Sequence, residues 1–241
     1  MGKFWTYEEI RTKIQRDTDI EAEDFIQGDE LLGIVNEAID LCESKIHKLG
    51  LEDDYFIKHS FLEMVQGQDL INLPDDIYGF KIRGLIYQKN ERRYPVKRIR
   101  GRRIFTKISN IQHFSNTDDY YQYFLVNDAS VAAAQILLLP ESRESSTDVL
   151  KIWYIRNANR MENDASICDI PEFVHYIIKR AVFQIYRKEG HPLMQEARAE
   201  MEKEEANMID TLSTMVPDED STIEPDLDHY RDMAYVDMYN V

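Results

Sequence analysis

Three kinds of residue in this 241-residue chain could carry chemistry: six histidines, several adjacent carboxylates and a dense run of cations. The histidines are His47, His59, His113, His175, His191 and His229. A zinc site needs imidazoles and thiolates at spacings that converge on one ion. No H-E-x-x-H, H-x-x-x-H or Cys-plus-His cluster of that kind occurs. Each histidine therefore reads as a single surface or satisfied side chain. Asp53-Asp54, Asp75-Asp76 and Asp118-Asp119 are the raw material for paired general acid and base. A glycosidase, however, needs two carboxyl groups facing one bond, and neighbours in sequence need not do so. With 45 acids in the chain, such pairs arise by composition. A carboxylate-pair hydrolase is thus the enzyme alternative. P-loop, G-x-G-x-x-G and G-x-S-x-G patterns are absent. The expectation is no catalytic residue, no cofactor and no metal.

The cations are the stronger signal. From Lys81 to Lys107 the chain reads KIRGLIYQKNERRYPVKRIRGRRIFTK. Lys81, Arg83, Lys89, Arg92, Arg93, Lys97, Arg98, Arg100, Arg102, Arg103 and Lys107 stand against Glu91 alone. The block is +10 in a chain of net charge −16, which leaves −26 for the rest. Charged residues on an edge strand block unwanted strand pairing, and that accounts for three or four arginines, not eleven cations. Arginine's planar fork suits fixed contacts to carboxylate or phosphate. A body so acidic is a poor general DNA binder, because it repels the phosphates that its cations would neutralise. The favoured partner is an acidic protein surface, another copy of this chain included. A nucleic-acid-binding regulator using 81–107 is the alternative. Arg92, Arg93, Lys97, Arg98, Arg100, Arg102 and Arg103 are the candidate contacts.

These groups need a frame to hold them. Thr6 and Glu9 form a T-x-x-E capping box, with Trp5 and Ile10 placed as a staple around it. A helix is predicted from about Asp29 to Leu49, because Leu31, Val35, Ala38, Cys42, Ile46 and Leu49 recur every three or four residues. Asp29 would cap it and Gly50 would end it. The period then changes. Phe61 to Pro74 reads as a hairpin turning near Gly67. Strands are predicted over Ile77–Tyr87, Tyr94–Phe105, Tyr120–Val126, Val131–Leu139 and Val149–Ile155, with a polar loop from Pro140 to Asp148. Helix returns at Pro171, stops at Gly190 and resumes from Leu193 to about Met215. Met194, Ala197, Met201, Met208, Leu212 and Met215 mark its apolar side. Glu196, Glu200, Glu204 and Glu205 mark its charged side.

The fold class expected is α+β. N- and C-terminal helices form a bundle, and a central antiparallel β-sandwich or small barrel is inserted between them. The divisions are 1–65 for the first helices, 66–160 for the β domain, 161–216 for the last helices and 217–241 for an extended tail. That tail is acidic, yet keeps Leu227, Tyr230, Tyr235 and Tyr239, more than a solvated tail needs. These four are candidate anchors to a partner. The N-terminus lacks the apolar region of a secretory signal, and no run approaches a membrane span of roughly 18 residues. Cys42 and Cys168 sit in apolar patterns, where buried free thiols are the default, and a reducing cytoplasm is the expected place of synthesis.

The order of parts resembles the head-to-tail adaptor proteins of short-tailed phages. The resemblance is carried by DELLGIVNEAIDLC with Asn36-Glu37-Ala38, by INLPDDIYGF at Ile71–Phe80, by LKIWYIRNANRM at Leu150–Met161 and by ICDIPEFVHYIIKRAVFQIYRKEGHP at Ile167–Pro192. It spans most of the chain, and crAss-like phages carry similar ring proteins. What it implies is a homo-oligomeric ring, usually of twelve copies, in the virion neck below the portal vertex. One face would meet the portal protein and the other the next tail or ring protein. DNA would pass through the lumen without sequence-specific binding, and no membrane would be involved.

Overall fold

Thr6 and Glu9 close on each other as their spacing predicts. The Thr6 amide donates to Glu9 Oε2 at 3.1 Å and the Glu9 amide to Thr6 Oγ1 at 3.3 Å. Two otherwise orphaned donors are satisfied, and α1 (Tyr7–Thr18) starts there. The computed structural model describes residues 4–18, 26, 28–89, 92–99, 121–126, 134–142 and 144–215. Helix α2 (Gly28–Lys48) buries Leu31, Val35, Ala38, Cys42 and Ile46 as one stripe. Asp29, expected as its cap, instead lies inside the first turn with Glu30, where the helix dipole favours a negative charge. Gly50 ends the helix with a left-handed φ of 73°. A short α3 (Glu52–Phe56) then runs straight into the first strand.

Among the described residues the strands are β1 (Ile57–Met64), β2 (Leu70–Asn72), β3 (Ile77–Lys89), β4 (Arg92–Pro95), β5 (Lys97–Arg98), β6 (Gln122–Val126), β7 (Gln135–Leu139) and β8 (Ser146–Arg156). They form two four-stranded sheets, ordered β1-β8-β3-β4 and β2-β7-β6-β5. All pairings are antiparallel except β5 with β6, which run parallel over two residues. Leu62, Leu85, Tyr87, Leu150, Ile152 and Tyr154 of the first sheet share one core with Ile71, Tyr123, Ile136 and Leu138 of the second. The inserted unit is therefore a sandwich.

The predicted hairpin from Phe61 to Pro74 is corrected in one respect. The chain does turn at Gly67, whose φ is 77°. Its two arms, however, do not pair with each other: β1 pairs with β8 and β2 with β7. Leu62 and Met64 on one arm and Ile71 and Leu73 on the other all enter the shared core. The turn thus carries the chain from one layer to the other.

Downstream, a 3₁₀ turn at Pro171–Phe173 leads into α4 (Val174–Glu189), which ends at Gly190 with φ 66°. Helix α5 (Met194–Met215) buries Ala197, Met201, Met208 and Leu212. Its apolar side is narrower than the spacing suggests, because Met215 is 44% exposed. Glu205, assigned to the charged side, pairs with Lys45 of α2. These helices and α1–α3 share a second core, which also takes in Ile155 from the end of β8. Cys42 and Cys168 are free and buried there. Burial pushes their thiols up to about 12 and about 11.

The bundle and the sandwich are stitched together where β8 ends. Asn36 of α2 accepts from the Met161 amide at 2.8 Å and donates to the Met161 carbonyl at 3.0 Å. Glu43 Oε1 accepts from the Ala158 amide at 2.9 Å. Arg156 and the Asn159 amide both reach Asp169 Oδ2, at 2.6 and 2.7 Å. An Asn36→Ala variant loses both Met161 bonds. It should lower unfolding stability by about 1–3 kcal/mol, as read from the denaturant midpoint at unchanged slope.

Candidate functional site

The structure divides the described cations of the basic block into two groups with different surroundings. Lys81 and Arg83, near the start of the run, point back to the helices. Lys81 Nζ lies 2.8 Å from Glu52 Oε1, and Arg83 Nη2 lies 3.0 Å from the same oxygen. Arg83 Nε also reaches Asp53 Oδ1 at 2.6 Å. Two of the eleven cations are thus consumed inside the chain, fastening β3 to α3. Burial alone would raise the Glu52 carboxyl, but the hydrogen bonds from Lys81 and Arg83 hold it below its ordinary value.

His47 belongs to this same cluster, and the sequence reading of it as an isolated histidine misses that. Its side chain is 6% exposed. The ring stacks on Tyr78 at 3.7 Å. Nε2 lies 3.6 Å from Glu43 Oε1, and Nδ1 lies 3.4 Å from Lys81 Nζ. Burial, reinforced by the Lys81 charge, holds the imidazole below its ordinary value despite Glu52 nearby. Burial likewise raises Glu43, against the Ala158 amide that it accepts from. The available signal was the i,i+4 pair Glu43–His47 followed by Glu52 across the Gly50 turn. Of the other histidines, His59 meets the Trp153 ring, His175 meets Trp5 and His191 stacks on Tyr186. His113 and His229 lie outside the described residues.

In two of the carboxylate pairs one member is held by neighbouring groups. Asp53 is engaged by Arg83, while Asp76 accepts from Lys58 Nζ and Tyr154 Oη, each at 2.7 Å. Burial raises Asp76, yet those two bonds hold it below the usual carboxylate range. Asp118 and Asp119 lie outside the described residues. Among the described residues no three His, Cys, Asp or Glu side chains converge as a metal site. No helix among them is long and apolar enough to cross a membrane.

The second group of cations forms a rim. Strand β4 is the last strand of one sheet and β5 the last of the other. The chain crosses between them at Val96, which is 6% exposed. The Val96 amide donates to the Leu85 carbonyl of the first sheet at 2.8 Å. The Ile99 amide donates to the Tyr123 carbonyl of the second at 2.8 Å. Val96 and Ile99 point inward as the pattern of apolar residues among arginines suggests. Arg92, Arg93, Lys97 and Arg98 are left exposed along one side of the sandwich. Lys89, paired in register with Arg92, joins them. None of the five makes an ion pair with a described residue. Like charges gathered in this way repel, and an acidic partner relieves that repulsion. Of the other expected contacts, Arg100, Arg102, Arg103, Leu227, Tyr230, Tyr235 and Tyr239 lie outside the described residues.

The His47 cluster makes stability depend on pH. Folding holds this imidazole neutral, with a pKa below its ordinary 6.5. The unfolded chain therefore takes up the proton first as pH falls below that value, and native stability falls with it. Glu52, depressed from 4.5, adds a loss only at more acid pH. The thermal midpoint should drop between about pH 7 and pH 5.5, and His47→Phe, which keeps a ring on Tyr78, should flatten that slope. An unchanged slope in the variant would assign the dependence elsewhere.

A family model described as SU10 adaptor protein matches residues 5–225 of the chain. The match takes in every described helix and both described sheets. No curated protein matches the chain.

Proposed function

We propose a structural role for this chain, which belongs to the SU10 adaptor protein family of phage head-to-tail adaptors. The family makes it a component of the virion that associates with other head or tail proteins. The role we infer is more specific. The chain forms a ring of twelve copies in the neck beneath the portal. One face meets the portal protein and the other the next tail or ring protein. DNA passes through the lumen, and no catalytic step is needed.

The observation that carries this reading is the cationic rim of Lys89, Arg92, Arg93, Lys97 and Arg98 on a chain of net charge −16. A ring closes when one patch on each subunit meets a different patch on the next. A basic rim on an acidic body supplies two such patches in one molecule. The same negative body repels phosphate, which lets a duplex slide through without sticking. The rim also favours one rival, a nucleic-acid-binding regulator. The hydrolase reading has less support, because Asp53 and Asp76 are spent on Arg83, Lys58 and Tyr154.

Four measurements separate these. Native mass of the purified chain with its portal protein should show a ring, and a monomer or dimer at every concentration would end the connector reading. Replacing Arg92, Arg93, Lys97 and Arg98 with Glu should weaken assembly with an unchanged circular-dichroism spectrum, because exposed charges away from packing contribute little to stability. Added salt should mimic the effect, since exposed charges are screened over about 8 Å at physiological ionic strength. Duplex DNA should bind weakly, without sequence preference, and be lost at moderate salt. Tight, sequence-selective binding at physiological salt would put the regulator first.

A further inference from the structure

The outer face of the β1-β8-β3-β4 sheet carries an arrangement that its own core does not need. Antiparallel register places Phe61, Lys151, Ile86 and Pro95 in one row across the four strands. His59, Trp153 and Gly84 form the next row. Phe61 and Ile57 are each 45% exposed. Lys151 Nζ sits 4.8 Å from the centre of the Trp153 ring and 5.9 Å from that of Phe61. Arg93, two residues before Pro95 and so on the same face, brings the cationic rim to the far side. The face thus grades from aromatic at β1 to basic at β4. Among the described strands β1 lies at the edge of its sheet and pairs with β8 alone. An exposed edge beside apolar pockets is the usual receptor for an added strand.

The chain itself contains a segment of matching chemistry. Residues 217–241 hold eight acids against one arginine, with Leu227, Tyr230, Tyr235, Val236 and Tyr239 among them. The described part of α5 ends with Met215, whose Sδ lies 3.6 Å from Tyr55 Oη, two residues before β1 begins. Eleven residues, 216–226, separate Met215 from Leu227. Fully extended they reach about 36–40 Å. Strand β1, eight residues long, spans only about 27 Å. That reach is long enough for the anchors to extend beyond the subunit's own sheet.

We propose that the outer face of this sheet, at Ile57, Phe61, Lys151, Trp153 and Arg93, receives the acidic C-terminal segment of a second copy of the chain. The aromatic and leucine anchors bury against Phe61 and Trp153, while the aspartates meet Lys151 and the rim. This deepens the connector reading and rests on it, because a tail handed from each subunit to the next makes the contact heterologous and lets the ring close.

Cross-linking of the full chain tests the docking. Phe61→Cys places a thiol on the exposed sheet face and Tyr235→Cys one in the C-terminal segment, while Cys42 and Cys168 are 0% and 2% exposed and do not compete. A short bis-maleimide should join a mixture of the two single variants into covalent dimers. The chain carrying both changes should give a ladder of higher multiples, and Lys151→Glu in that background should reduce the ladder about fivefold, as expected for a lost charge pair. Ile57→Cys in place of Phe61→Cys should reproduce the ladder. An internally linked monomer from the double variant would place the tail on its own sheet and overturn the proposal. Linkage of Phe61→Cys to itself would do the same in favour of a symmetric contact between sheets. Loss of the ladder on adding single-stranded DNA at physiological salt would reassign the face to nucleic acid. A ring by native mass with no cross-link sinks the docking alone, whereas a chain that never assembles sinks the connector reading beneath it.

Discussion

Strand β8 is the member on which the two halves of the molecule depend. It is paired on both edges, with β1 and with β3, for most of its eleven residues. Its first inward residues, Leu150, Ile152 and Tyr154, fill the sandwich core, and Ile155 belongs to the helical core. One strand therefore serves two separate hydrophobic clusters, and shifting its register by a residue would empty both. The polar bonds of Asn36, Glu43 and Asp169 to the segment just beyond it hold that register against the helices. They do so at a place where backbone leaves the ladder and would otherwise have no partners.

Electrostatics follows from that arrangement. The junction brings α3 beside β3, so Glu52 and Asp53 meet the first cations of the basic block. Lys89, Arg92, Arg93, Lys97 and Arg98 lie instead along the edge of the sandwich, where no described acid pairs with them. A chain with 45 acids and 29 cations could have neutralised every one of these. The fold instead spends Lys81 and Arg83 internally and leaves the rim without an ion pair to any described residue. In the buried part, His47 Nε2 and Glu52 Oε2 make no hydrogen bond to a described residue, and the low dielectric there makes that costly. The exposed part is cheap in stability and useful for attraction at a distance.

This separation suits an adaptor. A connector must hold its own shape while meeting different neighbours on different sides. The helical core and the seam supply rigidity, and the sandwich presents one aromatic side and one cationic side of the same sheet. Neither surface requires a pocket, a metal or a nucleophile, and association of this kind draws on area, charge pattern and symmetry.

Much of this was legible before any coordinates. The capping box at Thr6 and Glu9, the stripe from Leu31 to Ile46, the stops at Gly50 and Gly190 and most of the strand positions follow from local periodicity and backbone preference, which act within a few residues. The α+β class follows from their order. The density of cations was visible as composition. Pairing was not legible, because hydrogen bonds between strands join residues far apart in sequence: the turn at Gly67 looks the same whether its arms pair or part. The division of the basic block was equally hidden. Lys81 and Arg92 are alike as sequence, and only the packing of α3 against the sandwich brings Glu52 to the one and leaves the other in solvent. His47 looked solitary for the same reason, since Tyr78 and Lys81 reach it from a strand some thirty residues away. The sequence by itself determined the elements and the amount of charge. The tertiary structure decided which charges are spent inside and which face outward, because Coulomb and hydrogen-bond energies depend on distances that only packing sets.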